Sequence, residues 1–192
     1  MNVPSIQRAV PAARTSSAKP AVAMANLIED VFEHAFAAGT KSGKYMKYFT
    51  VTRTKKPRLF VTFYKHDSPT LDRDAAAFWA TESMSATALQ MWFEAIGIEK
   101  KKDLFAALKV SPSTLSRATS ETTLDPAVTE RMLRQSELFV RAAEVFGEDG
   151  PTWMTKPHEL LGGKSPLEYA TNEFGGAKVR QILNAIEYGG VV

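Results

Sequence analysis

The segment from Asp125 to Gly147 constrains this chain more than any other. Asp125 followed by Pro126 is a helix start, a side-chain cap with proline at the first helical position. The 21 residues from Pro126 bring Val128, Met132, Leu133, Phe139, Ala142, Val145 and Phe146 to one side, and Gly147 stops the run. A helix of this length, roughly 30 Å, must have its apolar side covered by other elements. The remainder of the chain from about Asp72 reads as more helices. Phe78, Trp79, Leu89, Trp92, Phe93 and Ile96 fall at spacings of three and four, and Gly97 closes that helix.

Two shorter segments come next. Residues 100–109 carry Leu104, Phe105 and Leu108 on one face. Ser111-Pro112 then opens a helix over 112–119 anchored by Leu115, which completes the outline of a helix-turn-helix. Beyond Gly147 come Trp153, a short segment His158–Leu161 and a sharp Gly162-Gly163 turn. Ser165-Pro166-Leu167-Glu168 has the form of a capping box, and a last helix places Val179, Ile182, Leu183 and Ile186 on one stripe. The chain closes with Tyr188, Gly189, Gly190, Val191 and Val192.

The beginning differs in character. Residues 1–24 are dominated by Ala, Pro, Ser and Val, too poor in large apolar groups to offset the entropy of ordering, and are expected to be a disordered arm. Leu27, Ile28, Val31, Phe32 and Phe36 predict an amphipathic helix ending at Gly39. Tyr45–Arg53 and Arg58–Tyr64, around Thr54-Lys55-Lys56-Pro57, read as a hairpin, with a linker over 67–74. The expected fold is mainly α. A helix-turn-helix spans 76–125 and a C-terminal helical domain 126–192, after a small α+β extension over 25–75. Met24, Met46 and Met84 offer alternative starts.

Charge is unevenly distributed. Residues 1–66 hold eleven Lys/Arg against three Asp/Glu, and residues 67–192 hold thirteen against eighteen. A basic arm on a mildly acidic body suits contact with nucleic acid, since its cations can displace phosphate counterions, and it equally suits a solvated tail. For a helix-turn-helix on DNA, the base-edge candidates are Ser113, Thr114, Ser116 and Arg117 at the start of the second helix. Lys100, Lys101 and Lys102 would hold the backbone. This helix has one arginine and neither Asn nor Gln to pair adenine, and a scaffold or dimerisation role fits it as well.

Catalysis finds little support. Cysteine is absent, which excludes disulfides and thiolate metal sites and suits the cytoplasm. His34, His66 and His158 lie in unrelated segments without metal spacing, and Asp72 and Asp74 flank Arg73 in a loose stretch. Gly162-Gly163-Lys164-Ser165 lacks the glycine frame and preceding strand of a phosphate loop. No catalytic residue, metal or cofactor is expected, nor is any apolar run long enough to span a membrane.

The C-terminal succession carries a resemblance. Glu144-Val145-Phe146-Gly147, Trp153, Leu161-Gly162-Gly163-Lys164-Ser165-Pro166-Leu167-Glu168, Gly175, the Val179 to Leu183 stripe and Ile186-Glu187-Tyr188-Gly189 together resemble the Xre/MbcA/ParS toxin-binding domain. The likeness covers about residues 85–192 and is sharpest over 126–192. It implies an antitoxin, not an enzyme, whose partner is a RES-domain toxin, similar in fold to ADP-ribosyltransferases and acting on NAD. Such antitoxins direct their extreme C-terminus into the toxin's cleft, dimerise, and repress their own operon through the helix-turn-helix. By position, Tyr188, Gly189, Gly190, Val191 and Val192 are the blocking element, presented by the helix bearing Ile182 and Ile186. The alternative is a stand-alone dimeric helix-turn-helix transcriptional regulator.

Overall fold

The computed structural model describes residues 18–39, 58–62, 68–99, 101–119 and 122–190. These form a mainly helical protein with one two-stranded antiparallel sheet. Its axis is the expected long helix, Pro126–Phe146. The Asp125 carboxylate accepts from the Ala127 N–H at 2.7 Å and caps the start, while Gly147, at φ 63°, ends it. The apolar stripe is buried as far as Ala142, with Val145 and Phe146 half-buried.

Burial extends well beyond that stripe, because Thr129, Arg134, Gln135 and Ser136 are also inside. Each has a partner there, as interior polar groups require. Thr129 donates to the Glu82 carbonyl (2.7 Å), and Trp92 donates its indole N–H to Ser136 Oγ (2.8 Å). Gln135 donates to the carbonyls of Leu167 and Ala170, and Arg134 to those of Ala170 and Thr171. The long helix is therefore the centre of the fold, surrounded on several sides.

With elements numbered in chain order, α1 (Ala18–Gly39) lies along α3 (Ala86–Ile96) and along the long helix, α6. It starts at Ala18, so residues 18–24 are helical where a disordered arm was expected; residues 1–17 lie outside the described part. The reason is packing by small groups. Ala21 and Ala25 are buried, and a residue without a long side chain lets two helices approach closely. Ile28, Val31 and Phe32 continue the same buried face, whereas Leu27 is exposed.

The described residues contain a strand pairing that the sequence did not suggest. Strand β1 (Phe60–Thr62) pairs antiparallel with β2 (Pro69–Leu71), with Phe60 opposite Leu71 and Thr62 opposite Pro69. The second strand comes from the presumed linker, and Tyr45–Arg53 lies outside the described residues. Glu29 of α1 holds the strand down. Its carboxylate accepts from the N–H groups of both Leu59 and Phe60 at 3.0 Å, and Leu59 is fully buried beneath.

The expected helix through Phe78 and Ile96 is two helices, α2 (Arg73–Trp79) and α3. Ser85 caps α3 through the Ala88 N–H, and residues 84–86 are held by backbone bonds from Leu124 to Met84 (2.8 Å) and from Ala86 to Thr122 (2.9 Å). Those tertiary bonds compete with continued helix and break it. They also close a loop containing α4 (Lys101–Leu108) and α5 (Pro112–Ser116). Arg131 of α6 donates to the last α4 carbonyl, Leu108, at 2.7 Å.

From Gly147 the chain makes a 3-10 turn, then α7 (Gly150–Thr155), a second 3-10 turn (Glu159–Leu161), α8 (Pro166–Tyr169) and α9 (Glu173–Tyr188). The Ser165/Glu168 capping box forms as expected. This long return lets α9 run parallel to α6, with Gly176 beside Arg134, Arg180 bonded to Glu137, and Asn184 bonded to Arg141. A continuous apolar core runs from Ala21 to Leu183.

Candidate functional site

α9 has two distinct sides. Gly175, Gly176, Val179, Ile182 and Leu183 face inward, and Ile182 is completely buried. Ile182 was expected to present the C-terminal element to a partner; it cannot, because three- and four-residue spacing places it on the stripe that covers α6. Ile186 lies at the rim and is 44% exposed, and Tyr188 is 73% exposed. Gly189 adopts the left-handed conformation (φ 69°) and bonds back to the Ala185 carbonyl, as does Gly190 at 2.9 Å. The helix thus ends cleanly, and the backbone turns away immediately after Tyr188. Val191 and Val192 lie outside the described residues.

Sequence reasoning missed Phe174. It is 89% exposed, the most exposed large apolar side chain among the described residues. Phe174, Gln181 and Tyr188 recur every seven residues on the outer side of α9, with exposed Ala177 between the first two. The sequence carried no apolar repeat that would have marked Phe174, since the middle member is glutamine. Phe174 sits beside a close approach, since a Cβ on neighbouring Gly175 would meet the Tyr169 carbonyl oxygen at 2.1 Å.

Charged groups line the seam between α6 and α9. Arg180 joins Glu137 of α6 (2.7 Å) and Glu173 of its own helix. Four residues beyond Glu137, Arg141 of α6 bonds Glu144 (2.6 Å), Asn184 Oδ1 (2.9 Å) and Glu187. Burial pulls the Arg141 guanidinium pKa down. The bond to Glu144, the charge of Glu144 and those of Glu187 together outweigh this, and it stands above the ordinary arginine value.

The helix-turn-helix candidates are less well organised. Lys101 and Lys102 are exposed at the start of α4; Lys100 is outside the described residues. α5 is shorter than the expected 112–119 helix and stops at Ser116. Thr119 and Thr122 form a local turn, with Thr119 N–H donating to Thr122 Oγ1 at 2.9 Å, which competes with another helical turn. Ser113, Ser116 and Arg117 are exposed and Thr114 is half-buried. Two of the hydroxyls are engaged: Ser113 with Ser111 Oγ (2.7 Å), and Ser116 donating to the Ser113 carbonyl (3.2 Å). The turn before α5 carries Lys109 at φ 54°, a left-handed residue that is not glycine.

The glycine turn uses its own amides. The N–H groups of Gly162, Gly163 and Lys164 donate to Glu159, His158 and Leu161 carbonyls, and that of Ser165 donates to Glu168. All four are thus engaged within the chain itself. Among the described residues, no three His, Asp or Glu side chains cluster in a way that could hold a metal ion. Among them too, no helix is long and apolar enough to cross a membrane.

Residues 141–189, which contain Arg141, α7, α8 and α9, match the antitoxin Xre/MbcA/ParS C-terminal toxin-binding domain. A relative is the antitoxin Xre of Pseudomonas putida, 32% identical over 62 residues, which make up 31% of this chain and 39% of the relative. The chain thus spans about two fifths of the length of that relative.

Proposed function

We propose that this protein is an antitoxin that binds and neutralises a RES-domain, NAD-using toxin by covering its active site with the end of α9 and the tail beyond it. The observation carrying this reading is the exposed apolar terminus, Ile186 and Tyr188, followed by a left-handed glycine, within a segment similar to a toxin-binding domain. An aromatic side chain exposed at a helix end and succeeded by two glycines can reach into a concavity with little steric resistance. Val191 and Val192 would then add an apolar plug. Phe174, at the other end of the same helix, extends the surface available to the partner. The protein acts by binding, not by catalysis.

The test is growth of cells expressing the RES-domain protein encoded beside this gene, with the full chain or a chain ending at Glu187. Full protection by the truncated chain would overturn active-site covering. No protection by the full chain would overturn the antitoxin reading.

A second role, repression of its own operon by a dimer, rests on exposed Ser113 at the start of α5, on exposed Arg117 at its C-terminal cap, and on Lys101 and Lys102. A five-residue recognition helix offers few base-edge contacts. The remaining affinity would have to come from phosphate contacts by the basic residues of the first third of the chain. The alternative of a stand-alone regulator predicts specific DNA binding without any toxin partner.

A further inference from the structure

We infer that Arg141 is a positioning residue for the end of α9, an electrostatic clamp that fixes the direction in which residues 188–190 leave the fold. The inference rests on the tail-covering reading above. Arg141 lies one turn before the end of α6 and uses both terminal nitrogens on three acceptors. Nη1 bonds Glu144 of its own helix at 2.6 Å; Nη2 bonds Asn184 at 2.9 Å and Glu187. Two of those acceptors belong to the last two turns of α9, and Glu187 immediately precedes exposed Tyr188.

The need for such a clamp follows from what surrounds it. The final turn of a helix has unsatisfied carbonyls and frays readily. A carboxylate there is further disfavoured by the negative end of the helix dipole, and Glu187 is that carboxylate. The inward stripe gives out at Leu183, since Ile186 is half out of the core. Beyond Leu183, therefore, apolar packing holds α9 only weakly, and the guanidinium joins its end to α6. The side chains involved are only 21% (Arg141), 8% (Glu144) and 20% (Glu187) exposed, so solvent screens the triad less than an open surface pair. Without Arg141, Glu144 and Glu187 would lose the guanidinium they share across the two helices. The terminal turn would then open, and the tail would sample many directions before meeting its cleft, which lowers affinity without removing a single partner contact.

The experiment compares full-length wild type, Arg141→Met, and the double variant Arg141→Glu with Glu187→Arg, which restores one guanidinium between two carboxylates. Amide hydrogen exchange is read by segment in the free chain, and affinity is measured for the RES-domain protein encoded beside the gene. The expected result for Arg141→Met is exchange at 184–190 faster by about tenfold or more, with exchange across the interior of α6 unchanged. Toxin affinity should fall by a similar factor, and the double variant should restore both. Unchanged exchange at 184–190 in Arg141→Met would overturn the clamp, as would failure of the double variant to restore affinity. The chain ending at Glu187 separates the two ideas. If that truncation costs no affinity, the tail reading itself fails. If truncation costs affinity and Arg141→Met does not, only the positioning role falls.

Discussion

At the scale of single residues, two isoleucines four positions apart on α9 have opposite situations. Ile182 is sealed in the core and Ile186 stands at its rim. Ile182→Ala should destabilise the chain by about 2–5 kcal/mol, since it removes buried apolar volume and leaves a cavity. Ile186→Ala should cost less than about 1 kcal/mol of stability and act chiefly on partner affinity. Chemical denaturation of both variants, with toxin binding measured beside it, checks this; equal stability losses would contradict the placement. Arg141 adds a statement about pH. Its pKa is raised, and a base raised in the folded state contributes stability that is complete below its ordinary value and lost only as pH climbs through the raised one. Neutral to mildly alkaline solution should therefore leave this arginine's contribution intact. The inward residues of α9 were legible as an apolar stripe. Phe174 was not, because an isolated aromatic at a helix start reads as core until its neighbours show that it points out.

At the scale of elements, α1 is the clearest departure from expectation. It is part of the core, covering α3 and α6 with Ala21, Ala25, Ile28, Val31 and Phe32, and the Phe32 ring meets Trp79 edge-on at 5.4 Å between centroids. Its Glu29 also satisfies two strand amides. A chain started at Met46 would bare the faces of α3 and α6 and orphan those amides, so it should fail to fold cooperatively. Circular dichroism and thermal melting would decide it, with a sharp transition near the full-length value as the contrary result. The helix itself was legible from its periodicity, but its start was not. Seven alanine-rich residues carry no strong apolar signal, and only a neighbour close enough to bury alanine reveals their worth.

At the scale of the whole molecule, the described residues fold around α6, and α4 and α5 are fastened to it through Arg131 and the 84–86 pairing with 122–124. α4 and α5 are therefore tied to the helix that also carries Arg141. The basic excess lies mainly in residues 1–66. If this protein binds operator DNA with its toxin, affinity should fall steeply with salt. Arg117→Ala should weaken specific binding by about 1–3 kcal/mol, the worth of one bidentate base contact. A gel shift on upstream DNA across a salt series measures both. No shift at low salt by the toxin–antitoxin complex would end the repressor role.

The sequence by itself determined where helices begin and end wherever a local signal sufficed. The Asp125-Pro126 cap, the Ser165/Glu168 box and the stops at Gly97, Gly147 and Gly189 all appear in the fold, because capping and left-handed backbone are settled within four residues of chain. Tertiary structure alone decided which strand pairs with which, where the helix before Ser85 breaks, and which side of α9 faces solvent. It also brought Arg141 to Glu187, 46 residues away. Those outcomes depend on competition among contacts distant in sequence, and short-range patterns carry no information about which distant partner wins.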